Sequence, residues 1–136
     1  MNTPINLEIT IMLPPITKKN SGQIVRAGNR TVLLPSKRYR DYEAKAGWFL
    51  PRLDAPIGAP VNVLALYYMP TRRRVDLTNL HEALHDVLVH YGVLADDNSK
   101  IVVSTDGSRV LYDKHQPRTE VRITGIQASR GGKDAG

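Results

Sequence analysis

The sequence predicts one α/β domain of the α+β kind, a single mixed β-sheet with two principal helices packed on it. Three patterns carry that expectation. Residues 61–69, VNVLALYYM, are almost continuously apolar, as a central buried strand is. Residues 76–91 repeat apolar side chains at helical spacing, and short β-prone runs punctuated by turn residues stand on either side.

Taken in order, NLEITIML (6–13) alternates polar and apolar residues as a half-buried strand does, and Pro14 and Pro15 halt it. QIVRAGNRTVLLP (23–35) holds two β-prone runs around Ala27, Gly28 and Asn29, the composition of a hairpin. Ser36 is a candidate N-cap for KRYRDYEAKAGWFLPRL, which sets Tyr39, Tyr42, Ala46 and Phe49 at helical spacing and ends near Pro51. After the strand at 61–69 comes a helix from Asp76 to about Tyr91, closed by Gly92 as its C′ residue. SKIVVSTDGSRVLYD is then a strand bent or turned at Asp106-Gly107, and RTEVRITGIQ is the last strand. The expected domain spans 1–127, and ASRGGKDAG (128–136) is small and polar enough to fray.

A chain of 136 residues has the size of one domain with a real core. It has no cysteine, which excludes disulfides, thiolate zinc knuckles, iron-sulfur clusters and a cysteine nucleophile, and suits a reducing compartment. Neither a leader pattern nor a run of roughly 20 apolar residues is present, so a soluble, unprocessed cytoplasmic protein is expected, with no membrane partner. The net charge of +6 hides an asymmetry. Residues 1–75 hold 12 Lys and Arg against 4 Asp and Glu, whereas residues 76–136 hold 7 against 9. A basic half recruits polyanions by releasing counterions from phosphates. An acidic cluster in the same protein would repel that ligand unless a divalent cation sits between them.

On a helical wheel Leu77, Leu80, Leu84, Val87, Leu88 and Tyr91 form one apolar stripe about 100° wide, the expected core face. One flank carries Asp76, Asn79, Glu82, Asp86 and His90, with Ala83 among them; the other carries Thr78, His81 and His85. A plainer reading makes Asp76 an N-cap and leaves Glu82 and Asp86 as surface residues. The segment HEALH (81–85) also fits the zinc-peptidase pattern H-E-x-x-H. No third ligand stands at a recognisable spacing, since the extended pattern would need glycine and histidine where Leu88 and Tyr91 stand. The two histidines are therefore expected to be half-exposed, facing solvent or a partner.

A strand ending in MP, then TRRR, DLTNL, a second Asp at 86 and a G…DD turn together resemble the RusA family of Holliday-junction resolvases, found widely in bacterial prophages. The likeness extends from LPPITKKN through SKRYRDYEAKA to DDNSKIV and the last strand, and its most specific part is the ordered set Asp76, Asn79, Asp86, Asp96 and Asp97. The resemblance implies a small homodimeric endonuclease that depends on Mg²⁺, with Mn²⁺ as a substitute, binds branched four-way DNA and nicks two strands symmetrically. The family motif reads D-x-D-N with a lysine on the following turn. Here Thr78 replaces the second Asp and Glu82 the lysine.

Phosphodiester hydrolysis needs a nucleophilic water and neutralisation of charge on the phosphorane oxygens, and carboxylate-held Mg²⁺ serves both ends. Asp76 and Asp97 are the expected metal ligands, converging across the short 92–98 loop, with Asp96 beside them. Asp86 lies about 15 Å along the helix from Asp76, too far for one shared metal, and is expected to orient a loop or a partner residue. Glu82 can reach back toward the place an Asp at 78 would fill, which makes it a further candidate ligand. Lys100 is then the nearest replacement in sequence for the missing lysine. Arg72, Arg73 and Arg74 suit phosphate clamping, and Lys18, Lys19 and Asn20 suit backbone contacts in a proline-bounded loop. Nothing reads base edges, so junction shape is the expected cue. The rival expectations are a junction-binding protein with weakened catalysis and, remotely, a zinc peptidase.

Overall fold

The computed structural model describes residues 4–18, 23–34 and 36–126. Lys19, Asn20 and the tail expected at 128–136 lie outside the described residues. The elements are β1 (Asn6–Ile11), β2 (Gln23–Ala27), β3 (Arg30–Leu34), α1 (Lys37–Ala46) followed by a 3-10 turn (Gly47–Phe49), β4 (Val61–Met69), α2 (Leu77–His90), β5 (Val102–Ser104), β6 (Arg109–Tyr112) and β7 (Arg118–Gly125).

Strand β7 lies between β1 and β4 and is antiparallel to both. The other edge of β4 pairs in parallel with β5 and then with β6. Parallel neighbours need a crossover, and α2 supplies it between β4 and β5, which places that helix on the sheet face. Helices α1 and α2 share one core with that face: Tyr39, Tyr42 and Ala46 from α1, and Leu80, Leu84 and Leu88 from α2, cluster with Val61, Val63, Ala65 and Tyr67. The residues alternating with these on β4 are half-buried. The near-continuous apolar run thus belongs to a strand covered on one face by helices and only partly on the other. The β2–β3 hairpin forms a separate two-stranded sheet and turns through Gly28, at φ +66°.

The segment expected as one bent strand is two short strands in line along β4. Asn62 Oδ1 accepts from the Asp106 backbone N–H at 2.7 Å and from the Ser104 hydroxyl, and the Ala65 N–H donates to Ser108 Oγ at 3.0 Å. Gly107, at φ +90°, makes the break; a Cβ there would stand 2.7 Å from Leu64 Cδ1.

Ser36 caps α1 as its sequence suggests, its Oγ accepting from the Tyr39 N–H at 3.0 Å. Phe49 leaves the expected stripe because the chain tightens to 3-10 geometry at Gly47, with about 3.0 residues per turn, and it ends 36% exposed. Trp48 beside it is 89% exposed. Gly47 also lies tight against the end of α2: a Cβ there would lie 2.5 Å from Tyr91 Cε1. The Tyr91 ring has little freedom to yield, since its hydroxyl donates to Glu43 O at 2.6 Å. Helix α2 ends in a Schellman turn, with Gly92 at φ +76°, Gly92 N–H bonded to Val89 O at 3.0 Å and Val93 N–H to Leu88 O at 2.9 Å.

Gly47→Ala is expected to destabilise the protein by about 1–3 kcal/mol through this overpacking, lowering the thermal midpoint by several degrees in circular dichroism. Gly58→Ala is the control, because the nearest atom to its added Cβ would be Ala95 Cβ at 4.0 Å.

Candidate active site

The Schellman turn sends the chain back along the last turns of α2. Two backbone bonds pin it there, Ile57 N–H to Val93 O at 2.9 Å and Ala95 N–H to Ile57 O at 2.8 Å. Asp96 and Asp97 consequently face the same open depression as Asp86, with Lys18, Tyr39 and Glu43 on its other walls. Its volume is about 410 Å³, room for a dozen waters at about 30 Å³ each. Lys18 Nζ stands 2.6 Å from Asp86 Oδ2 and 5.4 Å from the centre of the Tyr39 ring. The hydrogen bond to Asp86 raises the Lys18 pKa, and the charges of Glu82 and Glu43 add to it against partial desolvation. Partial burial, then the carboxylates of Asp86 and Asp96, push the Asp97 carboxyl up. Arg40 also lines the depression, and the carboxylates of Glu43, Asp86, Asp96 and Asp97 outnumber the two cations, Lys18 and Arg40.

Asp97 stands beside Asp86 and Asp96, while Asp76, at the other end of α2, is not among the residues lining the depression. The reason is the tight reversal at Gly92, which returns the chain to the C-terminal half of α2. Asp86 does hold a loop, as its position suggests: it anchors Lys18 at the end of the 12–18 strap. Asp76 occupies the N-cap position without capping by its side chain, which instead accepts from the Asn79 amide at 3.3 Å. Thr78 and Glu82 are exposed on the first turns. Asp96 closes its own turn, accepting from the Asp97 N–H at 2.7 Å and the Asn98 amide at 3.0 Å. Lys100 is exposed, with its backbone N–H on Asn98 Oδ1 at 2.9 Å.

The arginines divide. Arg72 lies over the Tyr112 ring, 4.0 Å from its centre. Arg73 and Arg74 line a groove of about 500 Å³ with Arg38, Ile16 and Thr17. The strap thus contributes Pro15, Ile16 and Thr17 to the basic groove and the next residue, Lys18, to the acidic depression. Arg38 and Glu43 were not singled out from sequence. On α1 they look like ordinary surface charges, and only its tertiary placement sets Arg38 in the groove and Glu43 in the depression.

The donor set suits a hard divalent cation, because Mg²⁺ prefers oxygen ligands and commonly takes only one or two carboxylates alongside water and phosphate. Among the described residues no group of three or more His, Asp or Glu is placed to hold a metal ion, so a cation here would have at most two protein carboxylates, with water and phosphate as its other ligands.

The HEALH histidines correct the sequence reading. His85 is 9% exposed, and His81 is half-buried with Nδ1 hydrogen-bonded to the Tyr67 hydroxyl at 2.7 Å. Their rings stack 5.4 Å apart at 8°, and each Nε2 is buried without a partner. The buried arc of α2 is wider than its aliphatic stripe, running from Ala83 round to His85. These are neutral core groups. Burial, with the neighbouring His81 adding, lowers the His85 pKa to about 4. An unfolded chain binds a proton there below about pH 6.5 while the folded one does not. Stability is therefore complete above pH 6.5 and is expected to fall by on the order of 3 kcal/mol as pH drops to 4. Denaturant titrations across that range check this, and His85→Leu should flatten the loss.

No helix among the described residues is long and apolar enough to cross a membrane. No curated protein matches the chain. Residues 4–124 match the profile of the family described as Endodeoxyribonuclease RusA, and that span takes in the strap, both helices, the DD turn and all of the principal sheet but the last residue of β7. The chain therefore belongs to the RusA endodeoxyribonuclease family.

Proposed function

We propose that this protein is a Mg²⁺-dependent, structure-selective DNA endonuclease that resolves four-way junctions by paired symmetric nicks, acting as a homodimer in recombination and repair. The observation that carries this reading is that consecutive strap residues line both hollows, Pro15 to Thr17 the arginine groove and Lys18 the carboxylate depression, in a chain of an endodeoxyribonuclease family. A phosphate backbone following the groove past Arg38, Arg73 and Arg74 would pass beside the carboxylates. Guanidinium groups suit this task because their paired N–H donors match phosphate oxygens.

Asp97 and Asp86 would be the two carboxylates offered to the cation, with Asp96 beside them, and the cation would supply charge neutralisation at the scissile phosphate and a more acidic attacking water. Glu82 lies on the same polar flank of α2 and is the next carboxylate available to the site. Asp76, at the helix start, is the remaining ligand candidate. The charge excess at Asp97 supports the reading, since a dication between the carboxylates and the DNA relieves both repulsions. Two protomers, each cutting one strand, account for symmetry without a second site in one chain.

Thr78 and Glu82, at the two positions where the family motif has Asp and Lys, favour a second reading in which the protein binds junctions but cuts them poorly.

Labelled four-way junction and linear duplex of matching sequence, each with Mg²⁺ and with EDTA, separate the two. Paired nicks near the crossover are expected only in the junction with Mg²⁺. Equal cutting of linear duplex would defeat structure selectivity, and tight junction binding without cutting would establish the second reading. Asp97→Asn is expected to abolish cleavage while keeping or tightening junction binding. Arg73→Ala should instead weaken binding and lower the slope of log K against log salt by about 1.

A further inference from the structure

The ammonium of Lys18 sits where a cation is wanted. It is 2.6 Å from Asp86, and Glu82 and Glu43 are close enough to act on its charge. It reaches this place from the far end of the chain, 68 positions before its partner. The strap that carries it is anchored by buried Pro15 and by Ile16, packed against the core. Lys18 itself is held by less: its side chain and that of Asp86 are each about one-third exposed, 31% and 35%.

Such an ion pair contributes little to stability and can be exchanged. A hydrated divalent cation entering the depression meets an ammonium already occupying one of its carboxylates.

We propose that Lys18 is an internal counter-cation that competes with the divalent metal for Asp86 and is displaced when the metal binds. This rests on the metal-dependent reading above. The exchange breaks one ion pair and forms another. Lys18 remains an ammonium and no proton moves. Once released, it stays on the strap beside the arginine groove, with its charge available to a phosphate. Lys18 is thus a positioning residue that sets how readily the site loads, keeping Asp86 paired until the cation arrives.

The test is calorimetric titration of the whole protein with Mn²⁺ in the absence of DNA. Lys18→Gln is expected to bind Mn²⁺ roughly three- to tenfold more tightly than the parent, because the competitor is gone. Lys18→Arg keeps the charge and should stay near the parent value. In an Asp86→Asn background the Lys18→Gln effect should vanish. Unchanged or weaker Mn²⁺ binding by Lys18→Gln overturns the proposal, as does equal tightening by Lys18→Arg. A parent that leaves junctions uncut while Lys18→Gln tightens Mn²⁺ binding defeats the nuclease reading and leaves Lys18 in its role. If neither chain binds Mn²⁺, both fall.

Discussion

Leu80, Leu84 and Leu88 stand on successive turns of α2, fully buried in one core with Val61, Val63 and Ala65 of β4. Each contributes about 1.5–3 kcal/mol by leaving water, and together they fix the rotation of the helix about its axis. The polar flank has no freedom of its own. With the leucines down, Asn79 and Asp86 fall at the margin and Glu82 in solvent. The hydrogen bond between Tyr67 and His81 locks the same orientation from the strand side. A carboxylate row positioned by aliphatic burial remains in place even though its members repel one another.

Much of this was legible because it is local. The limits of β4 follow from an apolar run bounded by Pro60 and Pro70, Ser36 and Gly92 mark helix ends by their own chemistry, and the motif from Asp76 to Asp97 is contiguous. What stayed hidden depends on contacts between distant segments. No periodicity links Lys18 to Asp86. The wheel places His81 and His85 on a flank, and only the breadth of the covering surface decides that the flank is buried. That Asp97 comes beside Asp86 is not legible either, because loop length limits how far the chain travels and says nothing of its direction. The Schellman hydrogen bonds set that direction.

Charge is segregated with the same economy. Arg118 and Arg122, in the acidic half of the chain, are paired with Asp113, Glu120 and Glu8. The arginines that line a groove come from the approach to α2 and the start of α1. Net charge is therefore a poor guide to where a polyanion would lie, and the strap that lines both groove and depression is a better one.

Strand β7 is inserted between β1 and β4, with Ile9 opposite Val121 and Ala65 opposite Val121 on its other side. During vectorial synthesis from the N-terminus, β1 emerges more than a hundred residues before the strand that pairs with it, as the Glu8–Arg122 separation of 114 shows. The principal sheet cannot close on the ribosome until residues 118–125 are free. A nascent chain consequently displays its lysine- and arginine-rich first half before the scaffold that fixes the carboxylates exists, so attraction to nucleic acid arises earlier in the life of the polypeptide than any organised capacity to act on it.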